Sequence, residues 1–147
     1  MDRKGQALVL FIVLIPIFLI LSIVLVDMGI NTHNEKKLKN VTQDVMEILL
    51  DDKTIYDINY NNREEINENL KKEAERIYFA NDIDTDDLFV EVTYAGRIEL
   101  SNTISHYSFM NSLLGKGNGE RTVTILVEGH IYDGEKIIEF KDGSNEN

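Results

Sequence analysis

The sequence predicts an α+β protein on a membrane anchor: an N-terminal transmembrane helix with a helical extension, then a small domain of one further helix packed on an antiparallel β-sheet of about four strands. Three patterns predict it. Residues 7–26 hold no charge, and seventeen of the twenty are Leu, Ile, Val or Phe. Residues 38–49 and 66–77 repeat apolar side chains at helical spacing, and beyond residue 88 apolar and polar residues alternate as in half-buried strands. The layout reads as an N-terminal tail 1–6, a span 7–28, a helical extension 29–60 and an α+β domain 61–147.

The span follows from transfer energetics. At roughly −0.3 to −0.6 kcal/mol per large apolar residue, the run favours insertion by on the order of −5 to −10 kcal/mol. Twenty helical residues at about 1.5 Å each cover roughly 30 Å, the thickness of a hydrocarbon core. A secretory signal also begins with basic residues such as Arg3 and Lys4 before an apolar run. This run outlasts the usual signal core and ends in Val26-Asp-Met-Gly29 without a small-x-small cleavage site, which favours an uncleaved anchor. A buried core helix of this length would show a polar face, and none is present. Pro16 removes a backbone hydrogen bond near mid-span and predicts a bend. Asp27 and Gly29 close the run, and Asp27 reads as a solvated acid at the end of the span.

Leu38, Val41, Val45, Ile48 and Leu49 form one apolar helix face that could continue the span, with Gly29, Asn31 and Asn34 as its weak points. A second helix is predicted over residues 63–80, burying Ile66, Leu70, Ala74 and Ile77, with Asn61 or Asn62 as its cap and Glu64 and Glu65 in the favourable first turn. Leu88, Val90, Val92 and Tyr94 alternate into a strand, and Ala95-Gly96 turns or bulges towards Ile98 and Leu100. Val123, Ile125, Val127 and Ile131 mark another strand. Asp133-Gly134 signals a type I′ hairpin into residues 135–141, where Ile137 and Phe140 bracket the return strand. Phe109, Met110, Leu113 and Leu114 predict a turn or two of helix lying across the sheet, before the glycine-rich turn Gly115-Lys-Gly-Asn-Gly119. The tail from Asp142 is polar and expected to fray.

Charge narrows the function classes. The chain carries −11, and residues 43–147 hold 10 Lys+Arg against 23 Asp+Glu, so the domain would be repelled by nucleic acid and by anionic headgroups. Nucleic acid is not an expected partner. There is no cysteine, hence no disulfide, thiolate metal site or cysteine nucleophile. Asp82, Asp84 and Asp86 match the first, third and fifth places of a calcium loop, but Asp87 stands where glycine is needed and Thr93 where glutamate is needed. His33, His106 and His130 are far apart and lack metal-ligand spacing. No catalytic constellation, cofactor or metal is expected, and a non-enzymatic role follows.

The flanks of the span carry a further signal. Lys4-Gly5-Gln6-Ala7-Leu8-Val9, then Leu14-Ile15-Pro16, then Val26-Asp27-Met28-Gly29 resemble the start of TadE/TadG-like proteins of bacterial Tad (Flp) pilus systems. Phe109-Met-Asn-Ser-Leu-Leu-Gly115 also resembles a family pattern of an apolar group ending in Leu-Gly between strands. The resemblance implies a single-pass protein of the bacterial cell membrane, with Arg3 and Lys4 cytoplasmic and the domain extracytoplasmic. Charge alone leaves that orientation open, since Lys36, Lys37 and Lys39 follow the span. It implies membrane lipid, other pilins or pseudopilins and pilus platform proteins as partners, and a prepilin peptidase that would cut between Gly5 and Gln6. Family members usually carry glutamate five residues past the cut, where this chain has Leu10. Leu10 avoids the roughly 2.5–3.5 kcal/mol cost of a carboxylate in lipid and cannot pair with a neighbour's amine, which is nearer the TadG-like pattern. A single-pass extracytoplasmic sensor or ligand-binding module acting through a membrane partner is the alternative reading.

Overall fold

The computed structural model describes residues 3–115 and 118–141, with side chains from residue 8 onward. Lys116 and Gly117 of the glycine-rich turn, and the tail from Asp142, lie outside the described residues.

The apolar run and the extension form one helix, α1 (Arg3–Leu49), which is long and apolar enough to cross a membrane. Pro16 lies inside it, and none of Gly29, Asn31 or Asn34 interrupts it. Two hydroxyl side chains of the helix bond back to its own backbone. The Ser22 hydroxyl donates to the Phe18 carbonyl at 2.8 Å and that of Thr32 to the Met28 carbonyl at 2.9 Å. Among residues 8–26, nearly every large apolar side chain is half exposed or more.

The chain divides into two compact units, Met1–Asn34 with His106–Arg121, and Glu35–Ser105 with Thr122–Asn147. In the second unit the last turns of α1 bury Leu38, Val41, Val45, Met46 and Leu49, and Leu50 just beyond them is buried too. A 3-10 turn (Lys53–Tyr56) follows, started by Asp52, whose carboxylate accepts from the Thr54 amide at 2.9 Å. Helix α2 (Arg63–Ala80) buries Ile66, Leu70, Ala74 and Tyr78. Strands β1 (Phe89–Val92), β2 (Ile98–Tyr107), β3 (Glu120–Tyr132) and β4 (Glu135–Lys141) form a four-stranded antiparallel meander in that order. Val90 and Val92, Ile98 and Leu100, and Ile125 and Val127 complete the core with the two helices. Each such buried side chain contributes roughly 1.5–3 kcal/mol, so the helix faces and the sheet face hold each other in place.

Two local devices set this packing. At Gly129, paired with Ile138, a Cβ would stand 2.5 Å from Met46 Sδ and 2.8 Å from its Cγ, so α1 approaches the sheet closely enough that any side chain there would have to displace Met46. Asp133 and Gly134 both take positive φ, 51° and 82°, as the type I′ turn between β3 and β4 requires.

Three expectations are corrected. Asn62 occupies the cap position of α2 but does not cap it with its side chain. Its amide is engaged by the preceding loop, accepting from the Asn59 amide at 2.7 Å and donating to the Asp57 carbonyl at 3.0 Å. Tyr78 rather than Ile77 is the last fully buried residue of α2, because it lies one turn beyond Ala74 and its hydroxyl finds Thr42 Oγ1 at 2.7 Å. Ile77 packs half-buried at the margin of the core. Finally, the cluster expected to pack on the sheet is not buried: β2 takes residues 101–107, β3 begins at Glu120, and the five-residue α3 (Phe109–Leu113) has no buried residue. Its partners are on α1, in the first unit.

Candidate functional site

Asp27 and Asn31 stand four residues apart, and so on one face of α1 in successive turns. Each is 7 % exposed. Asp27 Oδ2 accepts from the Ser108 hydroxyl at 2.9 Å, and Oδ1 accepts from the Phe109 backbone amide at 2.9 Å. One turn further on, Asn31 Oδ1 pairs with Nε2 of His106. Asp27 is therefore a buried acceptor joining α1 to the tip of the β2–β3 hairpin, and its predicted role as a solvated acid is overturned. A carboxyl group removed from water requires donors, and the hairpin brings two to it.

The tip is built to present them. Ser108 sits in extended backbone at the cap of α3, and its Oγ also accepts from the Asn111 amide at 3.2 Å, satisfying the short helix's first turn. The Ser108 amide donates to the Gly119 carbonyl at 2.7 Å, and Asn111 Nδ2 donates to the Glu120 carbonyl at 2.9 Å, closing the hairpin behind it. Beside the cluster lies an apolar groove of about 360 Å³, lined chiefly by Leu19, Ile23, Val26 and Ile30 of α1 with Tyr107 and Phe109 of the hairpin.

The other sequence-marked residues are not drawn into this cluster. Gly5 and Gln6 fall in the first turns of α1, and their side chains lie outside those described. Leu10 and Pro16 are exposed on the apolar part of the helix. In the acidic loop, Asp84 Oδ1 accepts from the Thr85 and Asp86 amides at 2.7 and 3.2 Å, and so holds its own turn. No group of three or more His, Cys, Asp or Glu able to hold a metal occurs among the described residues.

A second polar cluster lies within the β-domain. Glu128 of β3 is buried and pairs with Arg97 and with Lys141, the latter at 2.5 Å. The hydrogen bond from Lys141, helped by the charges of Arg97 and Lys141, outweighs burial and holds the Glu128 carboxyl below its ordinary range, while Lys141 is raised. Burial pushes the Tyr78 phenol up to about 12.

No family model, curated protein or solved structure matches the chain. Sequence reasoning places none of the site's other residues with Asp27: Asn31 reads there as a weak point of the helix, His106 as a histidine without ligand spacing and Phe109 as part of an apolar cluster, and Ser108 carries no reading of its own. Two signals could have found them. Asp27 and Asn31 share a helix face where an apolar run meets polar sequence, and Ser108 precedes Phe-Met-Asn as a capping serine after a strand.

Proposed function

We propose that the chain is a non-enzymatic, membrane-anchored, pseudopilin-like component of a Tad (Flp) pilus assembly or a related secretion apparatus. The observation that carries this reading is helix α1, whose apolar, outward-facing first part continues without interruption into the core of a folded domain. That construction suits a subunit held in a bilayer among other helices while its acidic domain makes contacts in water. The resemblance of Lys4-Gly5-Gln6-Ala7 and Val26-Asp27-Met28-Gly29 to TadE/TadG-like proteins supports the same reading and suggests an extracytoplasmic domain. With Leu10 in place of the family's glutamate, the chain fits a subunit that remains in the membrane better than one that enters a filament.

Deleting the gene is expected to reduce surface pili and adherence, and the protein should co-purify with pilus platform components. Unchanged pilus number, length and adhesion would overturn the reading, and co-purification with a membrane kinase or transporter would replace it with the sensor. Mass spectrometry of the N-terminus adds the processing state: intact Met1 confined to membranes fits a permanent anchor, and Gln6 in sheared filaments fits a processed subunit.

A further inference from the structure

We propose that the β2–β3 hairpin tip, residues 107–114, is a second membrane-contacting element, seated in the same leaflet as the C-terminal end of the span, with phospholipid acyl chains filling the groove between them. This rests on the membrane-anchored part of the reading above. Tyr107, Leu113 and Leu114 are each at least 60 % exposed, and Phe109 is 42 % exposed, an apolar surface that water would disfavour. That surface is continuous with the span. The groove joins Phe109 and Tyr107 to Leu19 and Ile23, and Leu19 lies eight residues, about 12 Å, before Asp27 on the helix. A bilayer deep enough to cover Leu19 and Ile23 therefore reaches the tip.

Two independent observations fit a low-water setting. Residues 100–115 contain no Asp, Glu, Lys or Arg, in a chain that is 28 % charged. The tip also satisfies its backbone internally. The amides of Ser108, Phe109, Asn111, Ser112, Leu114 and Gly115 are bonded to Gly119, Asp27, Ser108 Oγ, Ser108, Met110 and Ser112. Such bonding also occurs in capped helices in water, and it is what backbone at membrane depth requires. Interfacial elements bury their apolar side by about 5–10 Å, and a tyrosine at the rim suits the boundary between headgroups and chains. The polar cluster at Asp27 then has a reason to be closed, since a carboxyl group at this level needs donors from protein.

The test uses the full chain, one copy per phosphatidylcholine nanodisc. Because the chain lacks cysteine, Leu113→Cys and Leu114→Cys each take a single environment-sensitive fluorophore, with Leu19→Cys as the lipid reference and Phe79→Cys, at a residue 83 % exposed, as the water reference. Both tip probes are expected to be quenched by brominated acyl chains to at least half the extent seen at Leu19, and to be several-fold less quenched by aqueous iodide than the Phe79 probe. Tip probes that behave like Phe79 overturn the inference while Leu19 upholds the anchor. Tip probes shielded from both quenchers also overturn it, since protein rather than lipid would then cover them. A Leu19 probe open to iodide removes the anchor and the inference together.

Discussion

Helix α1 has two halves that obey different rules. Between residues 8 and 26 it is apolar on nearly every side and mostly outward-facing, whereas from Leu38 to Leu49 the buried positions recur in steps of three, one, three, one and three, with polar residues and the exposed Ile48, expected on the buried face, between them. The same backbone hydrogen-bond pattern runs through both. What changes is what surrounds it: the first half meets folded protein only near its end, where Leu19, Ile23 and Val26 line the groove with Tyr107 and Phe109, and the second is shaped to α2 and the sheet. Secondary structure is thus uniform along α1 while its source of stability switches within about three turns, across the polar residues Asp27, Asn31 and Asn34.

The same substitution should therefore fail in two ways. Val45→Asp places an unpaired carboxylate at a fully buried position and is expected to destabilise the domain by about 4 kcal/mol, read as a collapse of its thermal transition in detergent-solubilised full chain. Ile20→Asp should instead cost about 3 kcal/mol of membrane insertion, seen as loss from the carbonate-resistant fraction, with the domain's thermal midpoint unchanged. Equal losses of thermal midpoint in both variants would erase the distinction between the halves. Where α1 meets the sheet, Gly129→Ala must move Met46 and should lower stability by about 2 kcal/mol, partly recovered by Met46→Ala.

Smaller changes sharpen the boundary itself. Asp27→Ala leaves the Ser108 hydroxyl and Phe109 amide without their acceptor, a local loss of about 1.5 kcal/mol. Hydrogen exchange at Phe109 should quicken about tenfold while Val127 in the core keeps its protection. The smallest effect is one of pH. Because Glu128 has its folded-state value held below the ordinary 4.5, its contribution is complete above about pH 4.5 and is lost as pH falls through the folded-state value. Glu128→Gln should flatten that acid limb of the stability profile, with little change in its slope near neutrality.

Legibility followed the range of the interactions. Helix α2 carries its signals within eighteen residues and was found at its observed bounds, and Asp133-Gly134 announced its turn locally. The residues 101–120 were misread because their apolar cluster resembles any short helix that covers a sheet. Their partner is a carboxylate 81 residues away in sequence, and no local period records such a pairing. Asp27 looked like a solvated acid for the same reason. The burial of Tyr78 depends likewise on a distant residue, since the partner of its hydroxyl is Thr42 Oγ1, 36 residues away.

The sheet ends in ways that bear on crowding. β1 is only four residues long, and the Val92 amide is occupied by Asn67 Oδ1 of α2 at 2.9 Å. The opposite edge, β4, carries Glu135, Lys136, Glu139 and Lys141 along seven residues. Short strands, occupied amides and charged rims are what deny a sheet its next strand. A domain tethered to a surface meets its own copies at concentrations that dilute solution never imposes, and open edges there would seed a cross-molecular ribbon. With both rims blunted, the sheet offers no open edge on which another strand could add.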